Sequence, residues 1–210
     1  MPRERRALRI KSHWFREEKP KSTREIAGAS AFIAWRIAQN VLKNMRRADF
    51  EIEPGEQYFA FLAEWLIFLV QIGDRIAYSH LGPQLRVDFT SSMANRLGEI
   101  LADNHNDLLG GPVPGDGVTR FKSAFIDRLN LRSADYADFD FSDTSIEYGF
   151  LRYLADHLTH VLRERDKVWV HDQVMELEAP EAVALMRKGM RGLLGEEPNP
   201  ARARTGTSGE

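Results

Sequence analysis

The sequence predicts an all-α protein, a single-domain helical bundle with a basic N-terminal arm and a disordered C-terminal tail. The run 58–80 (YFAFLAEWLIFLVQIGDRIAYSH) is apolar on nearly every side of a helical wheel, which is typical of a buried central helix. Apolar residues recur at helical spacing in several other segments, whereas no segment has a convincing strand alternation. Helices packed around one central helix are therefore the simplest architecture.

Composition divides the chain into three parts, an arm at 1–21, a bundle at 22–194 and a tail at 195–210. The arm has eight lysine and arginine residues against three glutamates, with Trp14 and Phe15 in its middle. Ser22 and Glu25 match a capping box, so the first helix is predicted over 23–48. The tail is rich in polar residues, proline and glycine, and this composition predicts disorder.

Turn residues separate the remaining helices. Pro54 and Gly55 break the chain before the central helix, and Leu81, Gly82 and Pro83 end it and start the next one. Further helices are predicted at 84–109, 119–131, 144–165, 169–177 and from Pro180 to 194. The segment 133–145 alternates acids with aromatic rings, and it is predicted to be an ordered loop.

Composition also excludes several classes of site. The chain has no cysteine, which removes disulfides, thiolate zinc sites and iron–sulfur clusters and fits a cytoplasmic protein. The net charge of −2 and the pI of about 6.3 do not favour nucleic acid or an anionic membrane as a partner. Glu64, Asp74 and Arg75 would be costly inside a bilayer, so we expect no membrane span.

The central helix carries a line of polar residues, which is where a functional site is expected. On a wheel at about 100° per residue, they fall within an arc of roughly 100°. These residues are Glu64, Gln71, Asp74, Arg75 and Tyr78. Because buried charges need partners, the polar line must meet complementary groups on neighbouring helices.

One hypothesis for such a site is a transition-metal centre. Its ligands would come from three predicted helices, and they are Glu64, Glu147, His157 and His105. Di-iron carboxylate bundles bring glutamate and histidine together in this way. Those bundles use Glu-x-x-His pairs, however, and the sequence contains none.

The alternative interpretation of the same residues needs no metal, and no cofactor is expected under it. Buried ionisable groups are usually paired with one another. Glu64 would then pair with an arginine such as Arg36 or Arg75, and His157 would be a hydrogen-bonded core histidine.

A second hypothesis is a small-molecule pocket between helices. Its lining would be Gln71, Asp74, Arg75 and Tyr78 with Asn40 and Asn44 of the first helix. Ligand pockets are mostly apolar with a few placed polar groups. The same side chains could instead form a buried hydrogen-bond network that fixes the register of the helices.

The basic arm offers a third type of site. Its lysines and arginines could neutralise phosphates, and Trp14 and Phe15 could stack on bases or enter a lipid headgroup layer. The basic charge is confined to the arm, so nucleic acid is not the expected partner. We expect instead that Trp14 and Phe15 pack on the bundle or on a partner subunit.

Two functions from different classes follow. The first is a non-enzymatic interaction or regulatory protein, forming a homodimer or binding another protein. Its contact surfaces would be the arm, the C-terminal amphipathic helix and the aromatic residues Tyr136, Phe139 and Phe141. These apolar faces could equally be internal core. The second is a metal-dependent or small-molecule-converting enzyme, in which the ligands or acid–base groups are Glu64, Glu147 and His157.

Overall fold

The computed structural model describes residues 21–109, 116–142 and 146–195, and in these ranges the fold is an all-α bundle. The predicted fold class is confirmed. Apart from Lys21 and Gly195, the predicted arm and tail lie outside the described residues, and so do Trp14 and Phe15.

The described α-helices are α1 (Thr23–Arg47), α2 (Glu56–His80), α3 (Pro83–Leu109), α4 (Asp116–Tyr136), α5 (Tyr148–Val161), α6 (Lys167–Asp172) and α7 (Ala179–Leu194). A 3₁₀ turn at Glu164–Asp166 precedes α6, and a π-helical turn at Gln173–Glu178 joins α6 to α7. The two segments predicted near the C-terminus are thus one continuous helical stretch. Strand pairing in the described residues is limited to one bridge between Phe141 and Ile146.

The first helix begins at the predicted capping box. The Glu25 backbone N–H donates to Ser22 Oγ at 3.3 Å, and the Ser22 backbone N–H donates to Glu25 Oε2 at 2.8 Å. These bonds satisfy donors that a helix start otherwise leaves unpaired. Hydrogen bonds from Ser22 also lower the pKa of the Glu25 carboxyl.

The central helix α2 packs against α1, α3, α5 and α7, as its all-round apolar sequence predicts. Trp65, Leu66 and Phe68 are completely buried. Burial of each such side chain contributes about 1.5–3 kcal/mol to the stability of the fold. The position of α2, and with it that of its polar residues, is therefore fixed by the core. Among the described helices, none combines the length and the hydropathy that crossing a bilayer requires.

Both ends of two helices differ from the prediction: α4 begins at Asp116 rather than at 119, and α5 ends at Val161 rather than at 165. The α4 helix continues past 131 to Tyr136, whose ring is buried 4.7 Å from the Phe150 ring centroid. The α5 helix begins at Tyr148 rather than at 144, and Glu147 before it has an extended backbone. Tertiary burial of Tyr136 explains the longer α4, since the local sequence gives no reason to extend it.

The surfaces proposed for protein contacts are largely internal. Tyr136 is buried, and the rings of Phe139 and Phe141 lie 6.3 and 5.9 Å from that of Phe150. The apolar face of α7 is buried against α1 and α2. The alternative interpretation of these residues as core is therefore the correct one for the described part of the chain.

Candidate functional site

The polar side chains of α2 divide into two regions that face different helices. Asp74, Gln71 and Arg75 lie in a cleft against α3 and α4, which we call the Asp74 region. Glu64 faces a second cavity, between α4 and α5, which we call the Glu64 region. The two regions differ in how completely their polar atoms are paired.

In the Asp74 region the carboxylate is fully engaged. Arg86 Nε donates to Asp74 Oδ1 at 2.9 Å, and Arg86 Nη2 donates to Asp74 Oδ2. Thr90 Oγ1 donates to Asp74 Oδ1 at 2.6 Å. The hydrogen bond to Asp74 raises the pKa of Arg86. Bidentate charge-assisted bonds are among the strongest polar contacts in proteins, so Asp74 fastens α2 to α3.

The neighbouring polar residues fasten α2 to α4. Gln71 Nε2 donates to Ser133 Oγ at 2.7 Å, and Ser133 Oγ donates to the Leu129 carbonyl at 2.8 Å. Arg75 Nη2 donates to the Tyr136 carbonyl at 2.9 Å. This arrangement matches the interpretation of these residues as a network that fixes helix register.

The cleft of the Asp74 region has a volume of about 380 Å³, and its lining differs in part from the prediction. Tyr78 lies beside it, with its ring centroid 4.9 Å from the Arg86 guanidinium carbon. Asn40 is exposed on α1, and Asn44 donates to Glu178 Oε2 at 3.1 Å. The two asparagines therefore do not line the cleft.

Glu64 is 5 % exposed, and its partners are two arginines of α4. Arg128 Nη1 lies 3.6 Å from Glu64 Oε1, and Arg132 Nε lies 3.5 Å from Glu64 Oε2. Charge-assisted N–H···O bonds are about 2.7–2.9 Å long, so these ion pairs lack the geometry of good hydrogen bonds. Pairing with an arginine was predicted correctly, but Arg36 and Arg75 were the wrong partners.

His157 of α5 lies at the same cavity. Its ring packs edge-on against the Tyr153 ring, with centroids 4.4 Å apart. Burial lowers the pKa of His157, and the charge of Arg132 lowers it further, so the neutral imidazole is favoured. His157 Nε2 and Arg132 Nε are both buried and have no hydrogen-bond partner in the described part of the chain.

These groups line an open cavity of about 600 Å³ between α2, α4 and α5. Its lining residues are Glu56, Gln57, Ala60, Glu64, Arg128, Arg132, His157, His160 and Val161. Arg128 and Arg132 are four residues apart on α4, and this spacing places both on one helix face. Gln57 is already paired, since it donates to the Val161 carbonyl at 3.1 Å.

The four proposed metal ligands do not converge. Glu64 and His157 line the cavity, whereas Glu147 Oε2 accepts from the Asp140 backbone N–H at 2.7 Å. His105 packs its ring 4.2 Å from that of Phe121, and its Nε2 lies 3.4 Å from Glu56 Oε1. Within the described residues, no group of three histidine or carboxylate side chains is arranged to hold a metal ion.

Arg128 and Arg132 are the site residues that the sequence interpretation missed. Both lie next to the apolar stripe formed by Phe125 and Leu129, which faces the core. A signal in the sequence could have identified them. The two arginines are four residues apart beside a buried apolar stripe, and the buried Glu64 needs a cationic partner.

Comparison of the chain with protein-family models, with curated proteins and with solved structures found no match. The function is therefore inferred from the geometry of the site alone.

Proposed function

We propose that the protein is a non-enzymatic, regulatory ligand-binding protein, which holds a small polar molecule in the cavity of the Glu64 region. The observation that carries this proposal is the pair of guanidiniums at the cavity, Arg128 and Arg132, whose nitrogens lie 3.5–3.6 Å from the Glu64 oxygens. These distances are too long for charge-assisted hydrogen bonds, so guanidinium donors are available to a ligand.

The contrast between the two polar regions of α2 supports this proposal. Around Asp74, Gln71 and Arg75 the donors reach acceptors at 2.6–2.9 Å. Around Glu64 the nitrogen–oxygen distances are 3.5–3.6 Å. The polar groups of α2 are therefore well paired at one cavity, whereas at the other the arginines of α4 are held only loosely by Glu64.

The size and access of the cavity also fit a small molecule. Its volume of about 600 Å³ falls within the range of about 300–1,000 Å³ that is typical of ligand pockets. The predicted alternative, a metal-dependent enzyme, has less support because Glu147 and His105 are engaged elsewhere.

Blocking the cavity tests this proposal. Ala60 lines it from α2, so Ala60→Trp should fill it without changing any charge. Ala134, exposed on α4 and not among the lining residues, provides the matched control Ala134→Trp. We expect that small anionic, zwitterionic or neutral compounds raise the Tm of the wild type and of Ala134→Trp, but not of Ala60→Trp. Equal responses of all three proteins, or no response to any compound, would contradict the proposal.

Self-association is a second candidate function, in line with the predicted homodimer. Val168, Trp169 and Leu177 are 72 %, 63 % and 58 % exposed on α6 and the π-helical turn after it. Exposed large apolar side chains are enriched in contact surfaces, and Val168 and Trp169 are adjacent in sequence. Sedimentation velocity of the wild type and of Trp169→Ser tests it, and a wild-type protein that stays monomeric at all concentrations would exclude it. A cytoplasmic location stays a prediction.

A further inference from the structure

The chemistry of the Glu64 cavity points to one class of ligand, and this inference rests on the proposed function. We infer that the cavity binds a small molecule through an oxyanion group, a phosphate or a carboxylate, held between Arg128 and Arg132.

The two guanidiniums have donors to spare. Glu64 lies 3.6 Å from Arg128 Nη1 and 3.5 Å from Arg132 Nε, so its oxygens take up little of their hydrogen-bonding capacity. Each guanidinium carries five N–H donors. Arginine forks match the oxygens of carboxylate and phosphate groups, and two forks on one helix face can hold a single oxyanion.

The charges at the cavity favour an anion. Arg128 and Arg132 contribute two positive charges. The lining carboxylates are Glu64, which is buried, and Glu56, which is 82 % exposed and lies 3.4 Å from His105 Nε2. Asp135 is the next carboxylate on α4, but it accepts a hydrogen bond from the Tyr153 hydroxyl and is not a lining residue. Burial, together with this bond, raises the pKa of Tyr153 to about 12, so the phenol stays protonated and keeps its bond to Asp135. Solvent screens the exposed Glu56, so Glu64 is the carboxylate that offsets the two guanidiniums inside the cavity.

The imidazole of His157 adds no charge to the cavity, since burial and the charge of Arg132 lower its pKa and favour the neutral ring. His157 Nε2 and Arg132 Nε are enclosed by protein atoms. An oxyanion would therefore bind through other nitrogens of the two guanidiniums, whose side chains are 42 % and 19 % exposed. An amine is disfavoured there, because a cation would be repelled by two guanidiniums.

Titration calorimetry of the full chain with sodium phosphate and with sodium acetate tests this inference at constant ionic strength. We expect saturable binding of at least one of them with a stoichiometry of one, and its identity assigns the phosphate or the carboxylate class. Arg128→Gln should weaken that binding at least tenfold, since it removes a charge-assisted contact. Arg120→Gln, an exposed position on the same helix outside the cavity, is the matched control and should change nothing.

Glu64→Gln gives a change in the opposite direction. Removing the carboxylate frees both guanidiniums and removes repulsion of the anion, so affinity should rise roughly tenfold. Glu99→Gln, which removes a carboxylate paired with Arg96 and Lys122 on the α3 side, should have no effect. Circular dichroism of each variant checks that it is folded.

The outcomes separate this inference from the proposed function. If neutral or cationic compounds bind in an Ala60-dependent manner while phosphate and acetate do not, the oxyanion assignment is overturned and the ligand-binding proposal stands. If no compound binds, both fall. If phosphate binds equally to the wild type and to Arg128→Gln, the anion lies at another surface and the inference is wrong.

Discussion

Asp74 and Glu64 lie on one helix and pair with the same residue type, yet their surroundings differ. Asp74 is held by a bidentate guanidinium and a hydroxyl, whereas Glu64 stands 3.5–3.6 Å from two guanidiniums beside an open cavity. Whether a carboxylate–arginine pair is structural or available for binding therefore depends on its hydrogen-bond geometry and not on its composition.

Packing explains the difference. The α3 helix, which supplies Arg86 and Thr90, packs closely on α2, and at Gly73 an added Cβ would lie 3.1 Å from Met93 Sδ. The α4 helix, which supplies Arg128 and Arg132, packs less extensively against α2 than α3 does. Arg86 and Thr90 thus come within bonding distance of Asp74, whereas the part of α4 that carries Arg128 and Arg132 leaves a cavity beside Glu64.

The largest effect is expected at Asp74. Asp74→Asn should lower the free energy of unfolding by about 2–3 kcal/mol, because it leaves the half-buried Arg86 guanidinium without a counter-charge. Urea denaturation measures this change. Asp88→Asn, an exposed carboxylate on α3, is the control and should stay within about 0.5 kcal/mol of the wild type. A loss below 0.5 kcal/mol for Asp74→Asn would mean that the Asp74–Arg86 pair does not stabilise the fold more than the Glu64 pairs do.

A smaller loss of stability is expected at Glu64. Glu64→Gln should cost about 1 kcal/mol or less, since Arg128 and Arg132 can be hydrated through the cavity when the carboxylate is gone. The same denaturation experiment applies. A loss equal to that of Asp74→Asn would mean that the Glu64 pairs are as structural as the Asp74 pair.

Glu178 is a buried carboxylate that is held by amide side chains and not by an arginine. Glu178 accepts from Asn44 Nδ2 at 3.1 Å and from Gln173 Nε2 at 3.0 Å, and burial raises its pKa. A carboxyl whose pKa is raised on folding stabilises the fold at low pH, and this contribution is lost as the pH rises through the folded pKa. Glu178→Gln should therefore gain stability relative to the wild type between pH 4 and pH 7. A gap between the two proteins that does not change with pH would contradict this.

The smallest effect is expected at His157. Its pKa is lowered by burial and by Arg132, so the folded state favours the neutral ring. The contribution of His157 to stability is therefore present above its unfolded pKa, about 6.5, and is lost as the pH falls below that value. From pH 7.5 to pH 5.5 the wild type should lose more stability than His157→Asn in thermal melts. Parallel curves for the two proteins would show that protonation of His157 is not linked to folding.

The sequence predicted the parts of the fold that local residues determine. Ser22 with Glu25 marked the start of α1, and Leu81 to Pro83 marked the boundary between α2 and α3. The ends of α4 and the start of α5 could not be predicted in this way, because Tyr136 is held by rings that are distant in sequence.

The candidate site was predicted only in part. Glu64 and His157 do meet at one cavity, because each lies on a face of its helix that turns toward α4. The partners Arg128 and Arg132 depend on how α4 packs across α2, which periodicity within one helix does not reveal. Glu147 was misplaced because α5 begins one residue after it.

The most direct test of the account is nuclear magnetic resonance of the arginine Nε–H groups during a titration with sodium phosphate. If the Arg132 guanidinium binds the anion, its Nε–H signal should shift and saturate. The Nε–H signal of Arg86, which donates to Asp74, should stay in place. Equal small shifts of both signals, or no shift at Arg132, would contradict the account.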